Sequence, residues 1–232
     1  MTVPDKEAQA AATPESVLRM LREGNYRFTN NLRANRNPLQ EVVTSRDGQY
    51  PLAVIVNCID SRTPTEALFD QGLGQFFVIR LAGSIISTEV LGSIEFATKL
   101  AGAKLVVVLG HSGCGAVKGA CDDVHMGNLT ELLAGIRPAV EAENTITSGR
   151  DSSNAEFVDK VSEIHVRRSL GIVVERSEVL KEMIAQGQVG LIGGMYQIET
   201  GVVEFYDDTF LLANNAIRDF MSRYGSSAQP TV

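Results

Sequence analysis

Two short motifs contain the residues of this chain whose types and spacing could do chemistry. Cys58 is followed by Asp60 and Arg62, and His111 is followed three residues later by Cys114. Thiols and imidazoles are zinc ligands, and three protein ligands leave a tetrahedral zinc ion with one open position, which is typical of a catalytic rather than a structural site. The motifs therefore predict a catalytic zinc centre held by Cys58, His111 and Cys114.

Asp60 and Arg62 lie two and four residues after the first cysteine. A guanidinium group beside a carboxylate keeps it ionised and fixed through charge-assisted hydrogen bonds, which can form in pairs. Such a carboxylate can accept a hydrogen bond from zinc-bound hydroxide and orient it, or it can bind zinc as a fourth ligand and close the site. An ordinary surface ion pair, the alternative, would contribute little. Because Asp60 follows a zinc ligand so closely, we interpret the pair as catalytic.

The predicted centre suits attack on a small electrophilic carbon. Zinc with three protein ligands lowers the pKa of its water to about 7. Two thiolates donate more charge than imidazoles do, so we expect a less acidic water and the best activity in alkaline solution. Carbon dioxide hydration, hydrolysis of a carbon–sulfur bond, and ester or amide cleavage all remain open at this point. A cysteine phosphatase does not fit, because Arg62 is too close to Cys58 for a Cys-x5-Arg phosphate loop.

The elements that must position these motifs alternate between strands and helices. Apolar, β-branched runs without alternation predict buried strands at 52–57, 76–80, 104–109 and 189–193. A turn at 199–201 leads into a fifth run at 202–206, which we interpret as an antiparallel edge strand. This order predicts an α/β fold, with a central parallel sheet of about four strands and an antiparallel edge strand, flanked by helices. Cys58 and His111 then lie at the carboxyl edge of the sheet, where ligands gather in such folds.

Helix signals and the absence of a linker complete the organisation. Thr13 and Pro14 begin a predicted helix over 13–31. Thr63, Pro64 and Glu66 suggest a capping box that begins a helix just after Arg62. Residues 116–186 are predicted to be helical, with a surface loop at 148–154. We expect residues 1–12 to be a flexible tail and the whole chain, 1–232, to form a single domain.

Composition limits the classes of partner. The chain has 21 Lys and Arg against 28 Asp and Glu, a net charge of −7, and no basic cluster, so we expect no nucleic-acid partner. No apolar stretch reaches the roughly 20 residues that would span a membrane. The N-terminus lacks the apolar region of a secretory signal, and the three cysteines are an odd number, so we expect a cytoplasmic protein. Cys121 is interpreted as a core residue; His125 and His165 could relay protons at a pocket mouth, although core or surface positions fit better.

The two motifs resemble the signatures of the β-class carbonic anhydrases. Cys58-x-Asp60-x-Arg62 and His111-x-x-Cys114-Gly115 match them, and the similarity extends over about residues 14–210 through the segments 24–28, 82–83, 92–95, 193–196 and 201–205. The resemblance implies a lyase that reversibly hydrates carbon dioxide to bicarbonate and a proton by means of zinc-bound hydroxide. It also implies one Zn²⁺ per subunit, held by the two cysteines and the histidine, with the Asp–Arg pair as the catalytic dyad.

The same resemblance implies roles for residues that the spacing alone does not identify. Gln49 would hydrogen-bond the substrate, Phe77 would line an apolar carbon dioxide pocket, and the backbone N–H of Gly115 would orient the substrate. The assembly would be a homodimer or homotetramer, with the helix over 13–31 packing on a partner subunit and the site at the interface.

The sequence also indicates a subgroup and some departures. Ile55 stands where one subgroup has the tryptophan of an inhibitory bicarbonate site, and the chain has no tryptophan. We therefore expect the plant-like subgroup, with no bicarbonate switch and an open zinc ion at neutral pH. Asn57, Leu81 and Ser84 depart from the family pattern around the site. The alternatives are a hydrolase of carbonyl sulfide or carbon disulfide, and a catalytically silent zinc-bearing sensor of inorganic carbon; loss of a ligand or of the dyad would favour the sensor, and none is lost.

Overall fold

A five-stranded sheet forms the centre of the computed structural model, which describes residues 3–225. The strand order is β2-β1-β3-β4-β5, and every neighbouring pair is parallel except β4 and β5, which are antiparallel. The sequence-based fold class is therefore confirmed. The strands are β1 (Ala53–Asn57), β2 (Phe76–Arg80), β3 (Leu105–His111), β4 (Gly190–Tyr196) and β5 (Val203–Phe205).

Eleven α-helices surround the sheet within residues 3–225. A π-helical turn, Phe96–Leu100, follows α5, and short 3-10 turns lie at Ala82–Ser84 and Asp207–Thr209. The helices are α1 (Lys6–Ala11), α2 (Pro14–Thr29), α3 (Pro38–Ser45), α4 (Thr65–Leu68), α5 (Thr88–Glu95), α6 (Gly115–Cys121), α7 (Gly127–Ala134), α8 (Arg137–Ala142), α9 (Ala155–Arg176), α10 (Glu178–Ala185) and α11 (Asn214–Tyr224). None of these helices is long and apolar enough to cross a membrane.

Both faces of the sheet are covered, which explains why the strand sequences do not alternate between apolar and polar residues. Successive side chains of a strand point to opposite faces. On one face Val54, Val56 and Val106 pack in a cluster with residues of α5, α9, α10 and α11. On the other face Ile55 and Val107 pack against α2. The loops at the carboxyl edge are thus built on a sheet whose central strands, β1, β3 and β4, are almost entirely buried.

The beginning of α4 corrects a local prediction. The predicted capping box at Thr63 is wrong, because α4 begins after Pro64 and has no side-chain cap. The Thr63 hydroxyl donates instead to the carbonyl of Asp60, 2.9 Å away. This side chain stabilises the loop that carries the first motif rather than the helix that follows it.

The N-terminal segment contains structure that the sequence analysis did not predict. Asp5 caps α1 by accepting a hydrogen bond from the N–H of Ala8. Gln9 of α1 donates to the carbonyls of Pro51 and Ala101, both at 2.8 Å, and so ties the helix to the segments that lead into β1 and β3. Residues 1 and 2 of the expected flexible tail lie outside the described residues, and its flexibility stays a prediction.

Candidate metal centre

Three buried side chains meet at the carboxyl edge of the sheet. Cys58 follows β1, His111 ends β3, and Cys114 immediately precedes α6. One ligand atom from each lies within 4.8 Å of the other two. The two sulfur atoms are 4.0 Å apart, close to the roughly 3.8 Å that a tetrahedral zinc ion with Zn–S bonds of about 2.3 Å requires. The geometry therefore brings together the ligand set that the spacing predicts.

The unpartnered nitrogen of His111 fits a metal ligand. Nδ1 lies 3.0 Å from the carbonyl oxygen of Ser112, so the proton is on Nδ1. Nε2 is buried and accepts no hydrogen bond. Buried polar atoms almost always have a partner, and metal-bound histidines commonly donate their other N–H to a carbonyl. A zinc ion between the two thiols would give Nε2 the partner it lacks.

The two thiols influence each other's ionisation. Hydrogen bonds from the Cys114 thiol, assisted by other donors around the sulfur, lower the pKa of Cys58. The hydrogen bond to Cys58 and burial raise the pKa of Cys114. One thiolate is thus favoured and the second is not, because two like charges would lie close together in a buried site. A bound divalent cation would supply the charge that allows both to ionise.

The loop after β1 is stabilised by a buried amide. The Asn57 side chain donates to the carbonyl of Thr63 at 3.1 Å and to the hydroxyl of Thr65 at 3.0 Å, and it accepts from the N–H of Cys58 at 2.7 Å. Arg80, at the end of β2, donates to the carbonyls of Cys58 and Asp60 at 2.9 and 2.6 Å. The departure at position 57 therefore has a structural role, since it closes the loop.

Asp60 and Arg62 form a two-bond pair at the edge of the ligand set. Arg62 donates through Nε to Oδ1 at 2.9 Å and through Nη2 to Oδ2 at 2.7 Å, and its backbone N–H also donates to Oδ1. These bonds hold the pKa of Asp60 far below its usual range. Oδ2 lies 4.0 Å from His111 Nε2. The carboxylate is thus ionised, held in place by Arg62, and adjacent to the three candidate ligands.

The turn between His111 and Cys114 is held mainly by distant elements. Gly113 has a φ of +61°, which favours glycine, and its N–H donates to Oδ1 of Asp159 in α9 at 3.2 Å. The Ser112 N–H donates to the carbonyl of Tyr196, and the Ser112 hydroxyl accepts from the N–H of Ile198, both at 3.0 Å. Residues after β4 and in α9 therefore fix the second motif.

A third segment approaches the ligands from behind. The N–H of Gly83 donates to the sulfur of Cys58 at 3.4 Å, and the Gly83 carbonyl accepts from Nε2 of His165 at 2.9 Å. Ser84, a departure from the family pattern, donates to the carbonyl of Leu109 at 2.9 Å, and Leu81 packs against the core. The sequence analysis leaves core and surface positions open for His165; the structure buries the residue and links it to the site, which the sequence analysis does not. No motif around position 165 signals that link.

The substrate residues implied by the resemblance lie in different places. Gly115 begins α6 directly after Cys114, and the space beside its Cα is open. Phe77 belongs to the cluster on one face of the sheet and contacts Phe96 edge to face. It lines an open cavity of about 470 Å³ beside β2. Gln49 is exposed in the loop between α3 and β1. Their roles in substrate binding stay predictions.

The fold and the site define an α/β protein in which three candidate metal ligands lie beside an ionised carboxylate. A family model described as carbonic anhydrase matches residues 53–203. The chain therefore belongs to the β-class carbonic anhydrase family.

Similar proteins cover most of the chain. Carbonic anhydrase 2 of Mycobacterium tuberculosis is 39% identical over 81% of this chain and 90% of its own length. A carbonic anhydrase of Mycolicibacterium smegmatis is 35% identical over 83% of this chain and 93% of its own. Among solved structures, one of two tetrameric β-carbonic anhydrases from Sordaria macrospora has a TM-score of 0.64, with 25% identity over 71% of this chain and 85% of its own. The CafA structure from Aspergillus fumigatus, at 22% identity, covers 92% of this chain and 99% of its own with a TM-score of 0.66, and supports the fold.

Proposed function

We propose that this protein catalyses the reversible hydration of carbon dioxide to bicarbonate and a proton at one zinc ion per subunit, bound by Cys58, His111 and Cys114. The observation that carries the proposal is the convergence of two buried thiols on a histidine nitrogen without a partner. The similarity to carbonic anhydrases of two mycobacteria selects carbon dioxide from the reactions that the residues alone leave open.

In this mechanism Asp60 orients the nucleophile. A zinc ion held by Cys58, His111 and Cys114 would lower the pKa of a water molecule and so supply hydroxide. Oδ2 of Asp60, near His111 Nε2, accepts a hydrogen bond from the attacking oxygen and directs its lone pair at the carbon of carbon dioxide. Arg62 keeps this carboxylate ionised and prevents it from turning onto the ligands. We assign the orientation of a substrate oxygen to the N–H of Gly115, which begins α6 directly after Cys114.

We propose that the site stays open at neutral pH. Both oxygens of Asp60 are engaged by Arg62, so binding zinc would cost two charge-assisted hydrogen bonds. Ile55, at the position of the tryptophan in the switching subgroup, is fully buried against α2. A crystal structure at neutral pH with Asp60 bonded to zinc would contradict this assignment to the plant-like subgroup.

The deciding experiment is stopped-flow carbon dioxide hydration across pH, with the zinc content measured on the same sample. We expect one zinc ion per chain and turnover that rises through an alkaline inflection. Asp60→Ala should keep the zinc but lose about 100-fold or more in turnover, because a positioned acid–base group commonly contributes that much.

The matched control is Asp219→Ala, since Asp219 forms an exposed pair with Arg223 in α11. We expect this control to leave turnover unchanged. Full zinc without turnover at any pH would overturn the proposal, and carbonyl sulfide, carbon disulfide and bicarbonate sensing would then be tested on the same sample.

We also propose that the protein is a homodimer or homotetramer. Helix α3 has no buried residue and exposes a row of apolar side chains, with 78, 51 and 58% of Leu39, Val42 and Val43 accessible. Exposed apolar patches of this kind mark interaction sites. In a single chain Gln49 and Phe77 are separate from the ligand cluster, so assembly is the step that could bring them to a site. Packing of α2 on a partner subunit belongs to this proposal.

The assembly is tested by sedimentation velocity. We expect the wild type to sediment as a dimer or tetramer and Val43→Asp to shift the population to smaller species. Val179→Asp is the matched control, because Val179 is an exposed valine of α10 on another part of the surface. A wild type that is monomeric at micromolar concentration would contradict the proposal.

We further propose a single domain over 1–232 and a cytoplasmic location. The support for the location is chemical: both ligand thiols must stay reduced, and a reducing compartment maintains free thiols. Cell fractionation with antibody detection tests the location; recovery from an oxidising compartment would refute it.

Limited proteolysis tests the proposal of a single domain. Recovery of separately stable fragments would contradict it.

A further inference from the structure

We propose that His165 is a positioning residue for the metal centre: it anchors Gly83 so that the Gly83 N–H donates to the sulfur of Cys58. This inference rests on the zinc centre proposed above and adds a residue of α9 to its support. His165 contacts neither substrate nor metal in this role, and acts through the backbone of the Ala82–Ser84 turn.

The turn at Gly83 is confined by its conformation and its neighbours. Gly83 has a φ of +68°, and a Cβ atom there would lie 2.7 Å from Cδ1 of Ile136. This conformation favours glycine, and the absent side chain lets the backbone approach the ligand cluster. The Gly83 N–H is then 3.4 Å from Cys58 Sγ. Since the N–H of Gly83 is used in this contact, a residue that anchors the turn must bind the Gly83 carbonyl.

His165 is the side chain that binds this carbonyl. Its Nε2 is 2.9 Å from the Gly83 oxygen, and because a carbonyl can only accept, Nε2 carries the proton. The ring is buried, and burial lowers the pKa of His165 to about 4 despite the opposing hydrogen bond to Gly83. The imidazole is therefore neutral at physiological pH and keeps one fixed tautomer. A neutral donor can bind here without adding a charge behind the thiolates.

Helix α9 supports both ligand loops. Asp159 binds the Gly113 N–H in the second motif, and His165 binds the turn behind Cys58. Ser162 and His165 of this helix line a small cavity together with His111 and Cys114. The helix thus fixes the relative position of the two loops whose side chains must share one ion.

The hydrogen bond to sulfur has a direct consequence for a bound metal. A donor to a ligand sulfur draws electron density from it and fixes its direction, and loss of such outer partners typically costs 10–100-fold in metal affinity or activity. Burying a histidine only to fill space would be unfavourable, since its polar atoms lose water. Leucine would pack at this position without that cost, so the donor is what the position requires.

The test compares His165→Leu with His165→Gln in the full chain. Gln keeps an N–H donor on a side chain of similar reach, whereas Leu removes it. Zinc affinity is measured by competition with a chelator, and the cobalt-substituted protein reports the sulfur-to-metal charge-transfer band. We expect His165→Leu to bind zinc about 10-fold more weakly and to shift that band to lower energy. His165→Gln should remain within about threefold of the wild type in affinity and keep the band.

Ser162→Ala is the control for packing, because Ser162 lines the same cavity but donates only to the carbonyl of Val158 in its own helix. We expect its affinity and its band to equal those of the wild type. Wild-type affinity in His165→Leu, with an unshifted band, would overturn the inference and leave His165 a packing residue. Equal losses in the Leu and Gln variants would overturn it as well.

A measurement on the wild type decides the matter if His165→Leu does not fold. In protein loaded with a cadmium isotope that has nuclear spin, we expect scalar coupling from the metal through Cys58 to the Gly83 amide proton, and a His165 ring protonated at Nε2. Absence of the coupling would refute the inference. A wild type that binds no metal would refute the zinc centre itself, so the two failures are distinguishable.

Discussion

The two loops that carry the candidate ligands are held in place in different ways. The loop of residues 58–63 is closed by side chains that belong to it or border it, namely Asn57, Thr63 and the Asp60–Arg62 pair, with Arg80 of the neighbouring strand. The turn of residues 111–114 contributes few such bonds. Its N–H groups and its serine hydroxyl instead bind residues 46 to 86 positions away in the chain.

Because of this difference, the two loops depend on the rest of the fold to different degrees. The first loop keeps its shape wherever β1 and β2 are paired, because most of its hydrogen bonds are local. The second loop adopts its conformation only when α9 and the end of β4 have folded around it. A site assembled from one locally stabilised loop and one that depends on the tertiary fold should respond differently to substitutions on its two sides.

The largest effect is expected from Asn57→Ala in the first loop. Its fully buried amide makes three hydrogen bonds to the loop, and unsatisfied buried groups cost about 1–3 kcal/mol each. We expect the free energy of unfolding of the metal-free protein to fall by about 3 kcal/mol, measured by urea denaturation. Zinc affinity should fall as well, because Cys58 loses its fixed backbone.

Asn25→Ala provides a matched control. The Asn25 amide is also buried and makes the same pattern of three bonds, to the backbone of Leu68, Gly201 and Val203, away from the ligands. A similar loss of stability but unchanged zinc affinity in the folded protein is expected for it. If both variants bound zinc equally well, the amide of Asn57 would be a general structural bond and the first loop would not depend on it.

Local patterns were enough to predict the sheet and the metal ligands. The apolar, β-branched runs predict all five strands, and the order of strands and motifs then brings Cys58 and His111 to one edge. The pairing of Asp60 with Arg62 follows from their spacing. The capping box predicted at Thr63 is wrong because a threonine hydroxyl can either cap a helix or bind its own loop. The sequence does not decide between these two competing local hydrogen bonds.

The supporting residues could not be predicted in the same way. Asp159 and His165 reach the site through bonds to backbone groups 46 and 82 positions away. A backbone N–H or carbonyl has no residue identity, so no motif records its partner. In the sequence Asn57 stands out only as an unusual residue, since its three partners become evident when the loop is closed. The ligands can therefore be predicted from sequence motifs, whereas the residues that orient them are identified only from tertiary contacts.

A second effect, of at most similar size, is expected from acid. The pKa of His165 is lowered to about 4 by burial, from an ordinary value of 6.5. Between these values the unfolded chain binds a proton that the folded chain does not, so stability is full above about pH 6.5 and falls as the pH falls toward 4. The maximum contribution is about 3 kcal/mol, from 1.36 kcal/mol per pKa unit.

Urea denaturation of the metal-free protein at several pH values isolates this contribution. We expect the stability of the wild type to fall more steeply from pH 6.5 to 4 than that of His165→Gln, which has no titrating ring. Carboxylates that titrate in both proteins cancel in the comparison. Parallel curves would mean that the folded protein protonates His165 as easily as the unfolded chain does, and would contradict its burial as a neutral donor behind the first loop.

The smallest effect is expected from Asp159 in the second loop. Its carboxylate is exposed and makes one bond, at 3.2 Å, to the Gly113 N–H. A typical hydrogen bond contributes about 0.5–1.5 kcal/mol, and solvent exposure favours the low end of that range, so Asp159→Ala should weaken zinc binding only about threefold in a chelator competition. Asp159→Asn keeps the accepting oxygen and should match the wild type. The remaining bonds of the turn, to Tyr196 and Ile198, are to the backbone and survive both substitutions. If Asp159→Ala instead weakened zinc binding more than Asn57→Ala does, α9 rather than the local side-chain bonds would be the principal support of the centre, and the contrast between the two loops would be reversed.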